Sequence, residues 1–214
     1  MSIIKTTFFT IIALCSLSFA ANIGQAAPAF SAKGSDGKQY SLETLKGKYV
    51  VLEWFNPSCP YVKKHYESKN LPDIQSEAKS NKKYPLVWLS VSSSYQEHPA
   101  YFSAAEVKKL QSDFNSNADA FIIDETGEIG KAYGATATPH IFIIDPNGKL
   151  IYQGGVDGGK NANSLKHSSI ESAEHKYLKD VLFNHIFEGK TINSSLSTTR
   201  AIGCSVKYKP EIKS

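Results

Sequence analysis

The chain has 214 residues, 41% of them apolar, with 24 Lys and Arg against 20 Asp and Glu and a formal net charge of +4. A charge that small argues against a nucleic-acid partner, and the length suits one domain with a sizeable core. Three cysteines are too few for a disulfide-stapled scaffold.

Residues 1–20 carry one charge, Lys5, then an apolar run from Phe8 to Leu17 and the small-x-small ending Ser18-Phe19-Ala20. This is the pattern of a cleaved secretory signal, too short for a permanent span. It predicts a periplasmic or secreted protein with no stable membrane anchor after cleavage. Cys15 lies inside the run behind Leu14, which is not the small residue a lipoprotein signal wants, so Cys15 is expected to be discarded. Cleavage removes Lys5 and no acid, taking the net charge to +3, and leaves Cys59 and Cys204 where disulfides persist. A domain over 21–190 and a tail over 191–214 carrying Cys204 are expected.

Ala26 to Phe30 and Gly37 to Leu42 predict a small entering hairpin, with Ser35-Asp36-Gly37 as its turn. Tyr49 to Phe55 is apolar except for Glu53 and predicts a buried central strand. Asn56-Pro57-Ser58 breaks the strand, and Pro60 behind Cys59 suits the first position of a helix, where a missing N–H costs nothing. Cys59 is therefore expected at a helix N-terminus, where the macrodipole and unpaired N–H groups favour a thiolate. Further helices are predicted from Pro72 to about Ser80, from a Ser103–Glu106 capping box to about Asp113, over Glu128–Tyr133, and over 169–187. Strands are predicted at Pro85–Ser92, Phe121–Asp124, 140–145 and Leu150–Gly154, with a turn at Asp145–Lys149. The Gly-Gly pairs at 154–155 and 158–159 lack a phosphate-cradling pattern and read as a solvent loop. Thr191 to Arg200 is a polar connector leading to Cys204.

The run Val-Leu-Glu-Trp-Phe-Asn-Pro-Ser-Cys-Pro-Tyr-Val-Lys, residues 51–63, resembles the active-site segment of thioredoxin-fold proteins. It is most similar to the peroxiredoxin-like branch of bacterial redoxin domains of the AhpC/TSA type, marked by a Cys-Pro-Phe/Tyr-Val-Lys-Lys-His-Tyr run. Matching segments extend from about Gly24 to Lys209, including the Ala-Pro-x-Phe opening and the Gly-Cys-Ser-Val-Lys close. The resemblance implies an α/β thioredoxin-like fold: a central mixed β-sheet flanked by helices, with an N-terminal hairpin. It implies a cis bond between Thr138 and Pro139, packed against Cys59, and an acid, Glu53, buried beneath that cysteine. A carboxyl so placed has a raised pKa and can exchange protons with a leaving thiol; pairing with a lysine, or an escape to the end of the sheet, is the alternative. Thr138 is expected either to hydrogen-bond the Cys59 sulfur or simply to pack in the core.

Val62 stands where Cys-x-x-Cys would place a second cysteine, so a plain thioredoxin mechanism fails. The resolving thiol is left open between Cys204, a small-molecule thiol and another protein. A peroxiredoxin site would hold its thiolate with a Thr or Ser three residues before the cysteine and with an arginine. Here Asn56 stands in the first position, Pro139 replaces the arginine, and the lone arginine is Arg200. The expected activity is thiol–disulfide exchange with Cys59 as nucleophile, Cys204 as candidate resolving cysteine, and Glu53, Thr138 and Pro139 in support. Its partners would be protein or small-molecule thiols and disulfides. A thiol peroxidase taking peroxides and a non-enzymatic binding module are the rivals. No cofactor is implied, and no metal: copper-delivery proteins of this fold use Cys-x-x-x-Cys plus a histidine, and no such pair occurs here.

Overall fold

The computed structural model describes residues 21–210; the expected signal over residues 1–20 lies outside the described residues, as do the last four. The chain enters through an antiparallel hairpin, β1 (Ser31–Lys33) and β2 (Gln39–Ser41), with the turn where predicted but the first arm shifted past Ala26–Phe30, because Ala26 bridges to Lys149 instead. β3 (Tyr49–Trp54), α1 (Pro60–Glu67), α2 (Asn70–Ser80) and β4 (Leu86–Ser92) follow. Then come α3 (Val107–Asp113), β5 (Ala120–Ile123), α4 (Glu128–Tyr133), β6 (Ala137–Thr138), β7 (His140–Ile144) and β8 (Leu150–Gly154).

The central sheet has the order β5-β4-β3-β7-β8. Its β3–β4 and β4–β5 pairs are parallel, and β3–β7 and β7–β8 antiparallel, which is the mixed sheet expected. β3 is central because both of its faces are apolar. Val50, Leu52 and Trp54 pack with Phe30, Tyr133 and Phe142 on one side. Val51 and Phe55 pack with Val62, Tyr66 and Leu71 from α1 and α2 on the other. Glu53 shares the parity of Val51 and Phe55 and so points under α1. Ser103 and Glu106 form only half of the expected capping box: the Ser103 N–H and Oγ both donate to Glu106 Oε2 at 2.8 Å, but the Glu106 N–H bonds the Ser103 carbonyl and the helix starts later, at Val107. α2 begins two residues earlier than expected and holds Pro72 in its first turn, where N–H groups have no helical partner.

Two expectations fail. The periodic stretch 169–187 is not one helix. It breaks into α5 (Ser168–Glu171), α6 (Tyr177–Lys179) and π-helical turns over Asp180–Ile186. Between α5 and α6, His175 leaves the helix to exchange two backbone hydrogen bonds with Gly158, at 2.9 and 3.2 Å. Glu174 accepts from the Lys160 N–H at 3.0 Å. Tertiary pairing thus overrides a helical pattern. The Gly-Gly segment is not a solvent loop either: residues 154–158 are buried, for the reason given below.

The tail adds α7 (Ser194–Ser197), capped by the Asn193 side chain accepting from Leu196 N, and β9 (Cys204–Ser205). Among the described residues no helix is long and apolar enough to cross a membrane.

Candidate redox site

Cys59 occupies the N-cap of α1 in extended conformation, with Pro60 opening the helix and no side-chain cap. Asn56 is spent on the turn: its Oδ1 accepts from Ser58 N at 2.8 Å, and its carbonyl accepts from Cys59 N at 3.0 Å. The sulfur therefore projects from a short, rigid link between β3 and the helix. It is 1% exposed. Facing it is the cis Thr138–Pro139 bond; the Cys59 thiol donates to the Thr138 carbonyl at 3.0 Å.

The tail reaches this place. β9 pairs antiparallel with β6, setting Cys204 opposite Thr138, the residue whose carbonyl accepts from the Cys59 thiol, and Cys204 packs against the buried cluster that holds Cys59. Both cysteines are free. Glycines explain how the tail comes so near. A Cβ at Gly203 would lie 2.0 Å from the Thr138 carbonyl oxygen, so no other residue lets the two backbones approach. At Gly154 a Cβ would meet Thr199 Oγ1 at 2.0 Å, and at Gly155 the Arg200 carbonyl at 2.7 Å. The first Gly-Gly pair is thus the channel in which the tail lies. Thr199 Oγ1 accepts there from Gly155 N at 3.1 Å and lies 2.8 Å from Tyr152 Oη. Beyond Cys204, Val206 N bonds Thr136 O at 3.3 Å and Tyr208 Oη donates to Ala135 O at 2.7 Å. The Tyr208 ring fills the space that side chains at Gly127 and Gly130 would need. Cys204 is held on both sides.

Electrostatics divides the pair. Burial alone would raise the Cys59 pKa. The Cys204 thiol, Thr138 and the amides of Val62 and Cys204 all hydrogen-bond the ionised sulfur, and the net shift is downward. Cys204 moves the other way, to about 11, through burial and through keeping its proton on the bond to Cys59. Lys207 is the charge that opposes this rise. Among the described groups acting on Cys59 there is no arginine; Arg200 is exposed.

Glu53 lies fully buried below the site. Its carboxylate accepts from Tyr66 Oη at 2.8 and 3.0 Å, Trp88 Nε1 at 2.7 Å and Gln75 Nε2 at 3.2 Å. Burial lifts its pKa, the three donors oppose, and it settles at about 7. The raised value expected from sequence is present. Lysine pairing is not, and the carboxylate's hydrogen bonds run to Tyr66, Trp88 and Gln75 rather than to Cys59. These three partners were not foreseen; the one available signal was Tyr66 at seven residues from Cys59, two helical turns along the same face.

The same helix carries a second buried polar group. Lys64 Nζ donates to Ala162 O at 3.0 Å and stands 3.5 Å from Asp157 Oδ2. His65 lies 3.7 Å from Asp157 Oδ1, with Asn70 at 2.9 Å on its other nitrogen. Burial, helped by the Lys64 charge, drops the His65 pKa to about 3, so the ring is neutral. Asp157 is raised by burial despite Lys64. This cluster ties the 155–162 loop to α1; His65 bonds Asn70 and His140 accepts from Thr136 N, rather than either meeting a cysteine.

A family model described as the AhpC/TSA family matches residues 23–153. Over 141 residues the chain is 27% identical to thiol-disulfide oxidoreductase ResA of Bacillus thuringiensis subsp. konkukian, spanning 61% of this chain and 68% of that protein. Among solved structures, an uncharacterized conserved protein from Geobacillus kaustophilus superposes with a TM-score of 0.68 at 27% identity, covering 89% of this chain and 94% of the other. A hypothetical protein from Sinorhizobium meliloti gives 0.67 at 18% identity, covering 90% and 98%, a likeness of fold alone.

Proposed function

The chain belongs to the AhpC/TSA family and has a thioredoxin-like fold, and from that membership and the site's geometry we propose that it is a thiol–disulfide oxidoreductase whose redox pair is Cys59 and Cys204. The observation that carries this reading is the pairing of β9 with β6, which sets Cys204 opposite Thr138, the residue that accepts from the Cys59 thiol, on a tail anchored on both sides of Cys204. Disulfide formation requires Cα atoms within about 7 Å, and a cysteine paired directly across from the residue that touches the Cys59 sulfur needs little movement to reach it. Cys59 is the thiolate and internal nucleophile; Cys204 supplies the second sulfur that Val62 cannot.

Thr138 and Pro139 form the floor on which both sulfurs meet. Thr138 accepts from the Cys59 thiol through its carbonyl, and its Oγ1 lies 3.4 Å from the Cys204 carbonyl. Glu53, half-protonated near neutral pH, serves as a buried proton reservoir beneath the site. Partners are protein or small-molecule thiols and disulfides. The signal-like residues 1–20 support work outside the cytoplasm, where such disulfides persist.

The test is to mix reduced protein, lacking residues 1–20, with one equivalent of a small disulfide or of hydrogen peroxide and follow thiol loss. Peptide mapping without reductant then identifies the product. Fast loss to the disulfide, ending in a Cys59–Cys204 bond, supports the proposal. Faster loss to peroxide makes the protein a peroxidase despite Asn56 and Pro139. Reaction no faster than a free thiol favours a binding module.

A further inference from the structure

The two sulfurs are not equally open to the outside. Cys59 is 1% exposed and packs with Phe55, Val62 and Tyr66 in the interior, whereas Cys204 is partly exposed and its neighbour Ser205 is exposed. Thiol–disulfide exchange is an in-line displacement: the attacking sulfur approaches along the extension of the bond that breaks. For a Cys59–Cys204 disulfide, attack on Cys59 would have to come from inside the core, behind α1 and β3. Attack on Cys204 comes from the outer side of β9, past Lys207, whose amino group reaches Ser205 Oγ at 3.1 Å.

Building on the redox pair proposed above, we infer that Cys204, not Cys59, is the cysteine that meets external thiols and disulfides, and that Cys59 is the internal resolving thiolate. In reduction of the oxidised protein, an incoming thiolate bonds to Cys204 Sγ as the Cys59–Cys204 bond breaks. The electron pair leaves on Cys59, where the donors around that sulfur receive it. A second thiolate then attacks the external sulfur of the mixed disulfide. It forms the external disulfide and releases Cys204, which takes up a proton. Two external thiols are oxidised as one protein disulfide is reduced. In the opposite direction Cys204 gives up its proton to solvent and attacks one sulfur of an external disulfide, the other leaving as a thiolate; Cys59 then attacks Cys204 Sγ, closing the protein disulfide and expelling the second external thiolate. A helix-borne Cys-x-x-Cys puts the first cysteine outward; here the second thiol arrives on a surface strand and covers the first.

The experiment uses glutathione on the oxidised protein, with rapid acid quench, alkylation of free thiols and mass mapping of the glutathione adduct. Glutathione on Cys204 with alkylated Cys59 is the expected transient. The Cys59→Ala variant, treated with oxidised glutathione, should hold its adduct on Cys204 stably, and Cys204→Ala should react at least ten times more slowly than Cys59→Ala. Glutathione found on Cys59 in the wild type, or faster reaction of Cys204→Ala with its tail shown in place by unchanged protease resistance, overturns the inference while leaving the redox pair standing. Failure of diamide to produce any Cys59–Cys204 disulfide overturns the pair itself and this inference with it.

Discussion

Replacing Glu53 by Gln tests the buried acid most directly. The carboxyl titrates at about 7 in the folded protein against 4.5 ordinarily, so between those values the folded chain keeps a proton that the unfolded chain has lost. Because the folded-state pKa is raised, the sign is the reverse of that for a salt-bridged carboxylate. The acid's contribution is full below pH 4.5 and is lost as pH rises toward 7. A gap of that size corresponds to about 3 kcal/mol. The Glu53→Gln variant keeps an oxygen for Trp88 and presents an amide toward Tyr66, imitating the protonated acid without the titration. Urea unfolding of both proteins in reductant at pH 5, 6, 7 and 8 reads the difference. The wild type should lose about 3 kcal/mol relative to the variant between pH 5 and pH 8, while other titrating groups cancel. A wild-type-minus-variant difference that stays within about 0.5 kcal/mol across that range would show that ionised Glu53 carries no burial penalty, and the proton-reservoir role would fall.

Three further outcomes follow from the same geometry. Gly203→Ala forces a Cβ to 2.0 Å from the Thr138 carbonyl; stopped-flow thiol loss should show closure of the Cys59–Cys204 disulfide slowed by about tenfold or more, since a misplaced reacting atom costs roughly that much or more. Lys64→Ala strands Asp157 in the interior and should cost about 3–5 kcal/mol by urea unfolding, whereas Lys64→Met with Asp157→Leu should recover most of it. Removing the Cys204 thiol takes away the strongest influence lowering the Cys59 pKa. The thiolate absorbance of Cys204→Ala should therefore titrate at higher pH than that of Cys59 in the reduced wild type, and an unchanged midpoint would mean that the amides and Thr138 alone hold the charge.

What the sequence made legible was local. β3 could be read because both faces of a central strand must be apolar, and α4 and β8 because turn residues bracket them. The placement of Cys59 followed from Pro60 and the end of the strand, while the cis Thr138–Pro139 bond came only from the resemblance to a known fold. Elements fixed by distant partners were not legible. The pattern from Ser169 to Phe187 is helical taken alone; the break comes from Gly158, some seventeen residues earlier. Gly154 and Gly155 looked like a loop because their reason for being glycine is Thr199 and Arg200, some forty-five residues later. Whether Cys204 reaches Cys59 depended on those same contacts, so the question could not be closed without them.

The family match ends at residue 153, just before the glycine channel and well before Cys204. The matched part supplies β3, the N-terminal end of α1, Glu53 and the Thr138–Pro139 floor: one thiolate in a pocket, with Val62 where a neighbouring thiol would be. The second thiol is furnished by the last third of the chain, and its position depends on separate anchors at Thr199, Gly203 and Tyr208 rather than on the pitch of one helix. In a helix-borne pair, cysteine separation and helix stability are the same property. Here they are independent, so loosening Tyr208 should weaken the disulfide while α1 and the Cys59 environment persist. Sliding β9 along β6 would separate the sulfurs without unfolding the domain. In the proposed pair, redox control lies in the tail's packing, which would also be the surface a partner meets.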